Sequence, residues 1–314
     1  MKTRRDFIKA GLALGASFPL LDFQRLSGAA TSDAPGAVRP AGTAARSVLV
    51  AVRDGTRAAM LDKAMDELGG METFVRRGQT VVIKPNISFD TPLEQGSNAH
   101  PDILRRLVTL CFAAGASSVS IFDHTLDQWQ RAYAASGAEA VARETGARLV
   151  PGNDQAYYRE VAIPRGVVLR SARVHSLVLD SDVFINVPVL KHHGGAEMSA
   201  AMKNLMGVVW DRRFYHRNDL DQCIADFVTF KKPSLNILDA YHPMVRSGPR
   251  GRGPGDLVEM RSLLVSADIV AIDAAGARML GHKPADIRYV RLAAAMGSGT
   301  MDLDRVDIRR FKLA

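Results

Sequence analysis

Short apolar runs alternate with stretches of helically spaced apolar positions along the chain from Val48 onward. Val48 to Val52 is a β-branched run ending at Asp54-Gly55, and Arg57 to Leu68 has helical spacing before Gly69-Gly70. Thr80 to Ile83 predicts a second strand. Pro101 opens a helix carrying Ile103, Leu104, Leu107, Val108 and Cys111 that stops at Gly115, and a strand over Ser118 to Phe122 follows. Two helices over 127–145 lead to Arg148-Leu149-Val150. Asp182 to Val189 is a nearly unbroken apolar run, the pattern of a strand covered on both faces. The spacing then predicts helices over 196–209 and 219–230, a strand over 235–238, an extended segment over 257–265, and helices over 268–280 and 285–296. This repeated β-α order predicts one α/β domain over 47–314, a three-layer sandwich around a largely parallel or mixed central sheet.

The first 46 residues read differently. Arg4-Arg5 with Phe7, Ile8 and Lys9 precedes a moderately apolar run from Ala10 to Leu21, about half of what a bilayer-crossing helix needs. Residues 1–30 therefore read as a twin-arginine export signal, with a cleavage site offered by Ser27-Gly28-Ala29-Ala30. The partner this implies is the twin-arginine translocase, and the location is periplasmic or extracytoplasmic after export in the folded state. An uncleaved signal would serve as a membrane anchor. Residues 31–46 are Ala, Gly, Pro, Ser and Thr almost throughout and read as a flexible linker.

Composition changes the picture in two places. The formal charge of +8 includes five basic and two acidic residues from the first thirty, so about +5 belongs to the remainder, without a Lys/Arg-rich run. That balance, with only Trp129 and Trp210 as large stacking rings, argues against nucleic acid as a partner. Two cysteines, Cys111 and Cys223, exclude a disulfide framework and any four-cysteine iron–sulfur or zinc site within the chain. Both lie in apolar helical stretches and read as core.

Polar side chains gather where the apolar runs end. Ile83 leads into Lys84-Pro85-Asn86, Phe122 into Asp123-His124, Leu190 into Lys191-His192-His193, and Leu238 into Asp239-Ala240-Tyr241-His242. In an open parallel sheet the strand C-termini share one edge, and ligands bind in the crevice there. Four such clusters predict one common site.

These segments also carry a resemblance. Ile83-Lys84-Pro85-Asn86, Ala99-His100-Pro101, Phe122-Asp123, Ile185-Asn186-Val187-Pro188-Val189-Leu190-Lys191-His192-His193 and Ala201-Met202-Lys203-Asn204-Leu205-Met206-Gly207 resemble the domain of unknown function 362 family. Ile237-Leu238-Asp239, Gly253-Pro254, Ser266-Ala267-Asp268 and Ala271-Ile272-Asp273 continue the pattern in order. The resemblance implies a family domain over nearly all of 48–299 and no assigned reaction. Many relatives carry a ferredoxin-like iron–sulfur domain. Two cysteines are too few for one, so the cofactor stays unknown, and a redox role like that of those relatives would require a separate redox partner.

Charge counting narrows the ligand. The candidate substrate-binding residues are Lys84, Asn86, Asp123, Lys191, Asn204 and Asp239, with His100, His193 and Lys203 as candidate catalytic groups. A bare divalent cation about 4 Å from one lysine would meet roughly 8 kcal/mol of repulsion at an effective dielectric of 20. An oxyanion instead gains charge-assisted hydrogen bonds from ammonium, imidazole and amide donors. The expectation is a small carboxylate or phosphate, with His192, His193 and Asp123 as the alternative ligand set for zinc, nickel or iron. Met198, Met202, Leu205, Met206 and Val209 read as core packing, Asp268 as a helix N-cap, and Asp273 as a carboxylate inside a helix that is either paired or functional. The glycine-rich stretch 246–256 reads equally as a lid or a surface connection. An enzyme acting on an acidic substrate, or a periplasmic protein that holds an anion or metal complex without chemistry, are the two functional readings.

Overall fold

The computed structural model of the chain describes residues 46–314. The export signal and all of the predicted linker except Arg46 lie outside the described residues.

Alternating side-chain direction along each strand sorts the core into two faces. Strands β1 (Val48–Arg53), β2 (Thr80–Pro85), β3 (Ser118–Ile121) and β4 (Arg148–Leu149) alternate with helices α1 (Arg57–Glu67), α2 (Pro101–Ala113), α3 (Trp129–Ala135) and α4 (Ala138–Thr145). On one face Val50, Val81, Ile83, Val119, Ile185 and Ile237 bury against Met60, Leu61, Ile103, Leu107 and Val141 of these helices. Each such aliphatic side chain contributes about 1.5–3 kcal/mol on burial. Thr56 and His100 cap α1 and α2 by accepting the N–H of Ala59 and Asp102.

The second half supplies β5 (Tyr158–Ala162), β6 (Ser171–His175), α5 (Ser176–Asp180), β7 (Val183–Val187), β8 (Val189–His193), β9 (Glu197–Ser199), α6 (Ala201–Asn204), α7 (Arg212–Arg217), α8 (Leu220–Phe230), β10 (Leu235–Met244), β11 (Ser262–Ser266), α9 (Ile269–Met279), α10 (Arg288–Ala295) and β12 (Asp307–Lys312). Helices α6 and α9 pack on the opposite sheet face, with α8 and α10 against them. The sheet runs β12-β1-β11-β10-β7-β2-β3-β4. Every neighbour pair on that path is parallel except the two made by β11, so the sheet is mixed around a parallel core. Strands β5 and β6 form a separate antiparallel hairpin.

Three predicted elements are corrected. The run 182–189 is two strands, broken at Pro188, which has no N–H to give a ladder; beyond it β8 pairs with β10 and, in antiparallel fashion, with β9. The helix predicted over 196–209 is instead strand β9, the single turn of α6 and a 3₁₀ turn over Leu205–Val208. Glu197, in the left-handed region at φ 58°, breaks the helical path, and the β8 ladder claims Met198. The strand at 235 does not end at Leu238 but runs on to Met244.

Candidate functional site

The parallel strands deliver their polar ends to one cavity of about 1210 Å³. Lys84, Asn86, Lys191, His193, Lys203 and Asn204 all line it. Each arrives from a different place: Lys84 from the end of β2, Lys191 and His193 from β8, Lys203 and Asn204 from α6. The turn that carries the last two is held from behind. Asp273, buried in α9, accepts the backbone N–H of Ala201 at 2.6 Å and of Met202 at 3.0 Å, and so caps α6. Burial without a cationic partner pushes the Asp273 carboxyl up to about 7.

Lys84 and Lys191 are fully buried and Lys203 is half-buried, and the three differ in what holds them. Lys84 Nζ donates to Asn204 Oδ1 at 2.6 Å and lies 3.1 Å from Asp123 Oδ1. Asp123 sits beneath the cavity, its second oxygen accepting the Ile87 N–H at 2.8 Å. Burial lowers Lys84 to about 8 against the pull of Asp123, and burial likewise raises Asp123, which Lys84 holds back. Lys191 Nζ donates to Asn86 Oδ1 at 2.6 Å and to the Ser97 carbonyl at 2.7 Å, two neutral acceptors. Burial, with the charges of Lys203 and Lys84, lowers it to about 7. Burial and Arg212 lower Lys203 to about 8. Asp123 thus pairs with Lys84 and acts at longer range on Lys191, while Lys203 feels Asp221; with three lysines lining the cavity, an anion there meets excess positive charge.

Gly207 makes the Lys84–Asp123 pair sterically feasible. A Cβ there would stand 2.1 Å from Asp123 Oδ1 and 2.7 Å from Lys84 Nζ. Behind the pair, a polar row crosses the sheet at one register level: Lys84 stands opposite Asn186, Asn186 opposite Asn236, and Asn236 opposite Ser266. Its hydrogen bonds run in one direction. Asn204 Nδ2 donates to Asn186 Oδ1 at 2.8 Å, Asn186 Nδ2 to Asn236 Oδ1 at 3.0 Å, and Asn236 Nδ2 to the Ser266 carbonyl at 3.3 Å. This fixes the Asn204 amide with its oxygen toward Lys84.

His193 is held neutral. Its Nδ1 accepts the N–H groups of Gly195 and Ala196 at 3.0 and 3.1 Å, so the ring proton resides on Nε2. Burial and the Lys203 charge lower it to about 3. His193 can therefore donate a hydrogen bond through Nε2 near neutral pH.

Two predicted residues lie elsewhere. Asp239 falls mid-strand in the extended β10 and pairs with Arg57 at 3.1 Å, while its other oxygen accepts the Tyr241 N–H. His100 caps α2 within electrostatic reach of Arg57 and Asp239, and burial lowers it. Neither lines the cavity. The alternative metal set is not assembled: Asp123 is committed to Lys84, and among the described residues no three His, Cys, Asp or Glu side chains group to hold a metal ion.

The sequence reading missed a second wall. Trp210, Arg212, Arg213, Phe214 and His216 line the cavity, as do Arg170 and Arg173 of the β5–β6 hairpin. Arg212 donates to the carbonyls of His124 and Thr125 at 2.7 and 2.9 Å, tying this wall to the end of β3. Trp210 stacks on His124 with ring centroids 5.1 Å apart. The signal was present in Trp210-Asp211-Arg212-Arg213-Phe214, a basic and aromatic cluster just past Gly207. The glycine-rich stretch 246–256 forms part of the boundary through Pro249. Arg250 pins it, donating to Asp127 at 2.6 Å and lying over the Phe89 ring, and a Cβ on Gly248 would stand 1.9 Å from the His192 carbonyl oxygen.

Comparison with known proteins adds three findings. The family model described as "Domain of unknown function (DUF362)" matches residues 81–278. A "Thylakoid-associated protein" of Synechocystis sp. is 24% identical over 251 residues, spanning 77% of this chain and 76% of its own. Among solved structures, the lactate racemase apoprotein from Thermoanaerobacterium thermosaccharolyticum has a TM-score of 0.46 at 11% identity, over 71% of this chain and 55% of that one. A Thermotoga maritima protein has a TM-score of 0.41 at 9% identity, over 76% and 58%. The chain thus spans little more than half the length of these two solved chains.

Proposed function

The chain belongs to the DUF362 family, and from that premise we propose an exported enzyme that binds an organic anion on Lys84, Lys191 and Lys203 and moves a proton on it with Lys191. One observation carries this: three lysines line a single cavity, Lys84 and Lys191 fully buried and Lys203 half-buried, with the carboxylate of Asp123 against Lys84. Lys191 is the acceptor because its two partners, Asn86 Oδ1 and the Ser97 carbonyl, remain satisfied by a neutral amine. Losing its proton costs no hydrogen bond and leaves a lone pair. A group lowered to about 7 is matched to proton transfer near neutral pH. Lys203 and the Nε2–H of His193 hold the anion and stabilise the charge that develops as Lys191 takes the proton.

Export is proposed from Arg4-Arg5 and the short apolar run that follows. The relative named for thylakoid association supports a location outside the cytoplasm or at a membrane. Among the described residues no helix is long and apolar enough to cross a bilayer.

Thermal melting of the purified chain in phosphate, sulfate and dicarboxylates tests the anion site, with hydrogen-to-deuterium exchange into bound acids testing the chemistry. Melting should rise with each anion, and Lys191→Met or Lys203→Met should remove that rise while the variants stay folded. Unchanged melting in all three anions overturns the reading. Binding without exchange reduces it to an anion-binding protein.

A further inference from the structure

The cavity is far larger than the anion that its lysines need. A carboxylate or phosphate head displaces a few waters, on the order of 100 Å³ at about 30 Å³ each. The space is about 1210 Å³. Its walls include Phe89, Leu169, Met206, Trp210 and Phe214, surface that rewards an apolar body rather than more water.

Charge is also distributed unevenly along it. Lys84 and Lys191, fully buried, and the half-buried Lys203 form the inner end, whereas Arg170, Arg173 and Arg213 line it from exposed positions. Among the described residues these three guanidinium groups have no ion-pair or hydrogen-bond partner. The acidic residues lining the cavity are Glu160 and Asp211. Glu160 stands opposite Arg173 in the hairpin register without pairing to it, and Asp211 is occupied in capping α7 through the Phe214 N–H. A second concentration of positive charge therefore faces the same space as the lysines.

We infer that the ligand carries two anionic groups on one apolar body, the first seated on the inner lysines and the second on the arginines of the β5–β6 hairpin. The inference rests on the anion-binding reading above and adds to it the class of molecule: an organic dianion or polyanion, not a small monoanion. Arginine suits the outer position because its planar fork meets a carboxylate or phosphate at two atoms while still hydrated.

Calorimetric titration of the full chain with dicarboxylates from succinate to sebacate, against monocarboxylates of matching length, tests this, with inorganic phosphate as the head group alone. At one or more lengths the dicarboxylate should bind about tenfold or more tightly than its monocarboxylate, the value of one added charge-assisted contact. Arg170→Gln with Arg173→Gln should erase that advantage and leave phosphate binding unchanged. Both side chains are exposed, so the double variant should melt as the parent does. Equal affinities at every length, or an advantage that survives in the double variant, overturns the inference while the lysine site stands. If phosphate itself fails to bind, the anion-binding reading falls first.

Discussion

Two charged clusters flank the same strands, and they differ in one respect. At the ends of β2 and β8 and on α6, three lysines line a large cavity, and Asp123 is ion-paired with Lys84 alone. At the middle of β10, Arg57 and Asp239 neutralise each other at 3.1 Å, and the Arg57 guanidinium also rests on the Tyr241 ring at 4.1 Å. The first cluster leaves positive charge unsatisfied next to open volume; the second leaves neither. Burial alone does not distinguish them, since Asp239 is as enclosed as many site residues. Excess charge of one sign facing space is what marks a ligand site, and a closed pair marks a staple between α1 and the sheet.

Removing the carboxylate from each cluster should separate them most sharply. Asp123→Asn strands the buried Lys84 charge, for a loss of about 3–5 kcal/mol, and Gly207→Ala should act similarly by driving Cβ into the pair. Asp239→Asn keeps an acceptor for the Tyr241 N–H and leaves the Arg57 guanidinium resting on the Tyr241 ring, so about 1–2 kcal/mol is expected, with anion binding unchanged. Urea titrations measure all three. Comparable losses at Asp123 and Asp239 would erase the distinction.

Alkaline pH sharpens the same contrast. Lys84, Lys191 and Lys203 are lowered in the folded chain to about 8, 7 and 8 from 10.5. Above about pH 7 the unfolded chain therefore binds more protons than the folded one, and stability rises with pH, by up to about 1.4 kcal/mol per pH unit for each lysine. Burial raises Cys111 and Cys223 to about 12 from 9.0, so their unfolded thiols ionise first and slow the climb above about pH 9, and the trend turns over as the unfolded lysines lose their own protons near 10.5. Anion affinity should fall across the window in which stability climbs, because the deprotonated lysines no longer attract the ligand. Lys191→Met should flatten the stability slope; an unchanged slope would remove Lys191 from the charged cluster.

Much of this was legible in the chain. Periodicity marked most strands and helices, the rule that polar residues follow strand ends placed Lys84, Asn86, Lys191 and His193, and the family resemblance pointed to Lys203 and Asn204, all six found at one cavity. It failed at Asp239 because nothing local says that β10 continues past Leu238; pairing with β8, distant in sequence, decides that. The helix expected at 196–209 failed for a similar reason, since the left-handed backbone at Glu197 and the β8 ladder override the methionine spacing. Arg170 and Arg173 were invisible because hairpin β5–β6 follows no strand end of the parallel core. Asp273 was flagged as a carboxylate that is either paired or functional, but its partners, the N–H groups of α6, lie some seventy residues away.

The smallest expected effect probes how the polar row behind Lys84 sets that lysine's charge. Asn186 Oδ1, at 2.8 Å, is the nearer of two acceptors of the Asn204 amide nitrogen, the other being the Lys84 carbonyl at 3.4 Å, and it holds that nitrogen away from Lys84 Nζ. Asn186→Leu removes it and frees Asn204 to rotate, so that a donor faces the ammonium where an oxygen did. Stability should fall by only about 1 kcal/mol, since the Asn204 amide can find other partners. The specific sign lies in titration: with one acceptor lost, Lys84 should release its proton at lower pH, and the alkaline climb in stability should begin earlier. Asn186→Gln, which restores an amide oxygen, should recover part of the original profile. A loss of stability with no change in that profile would make the row a sheet staple and nothing more.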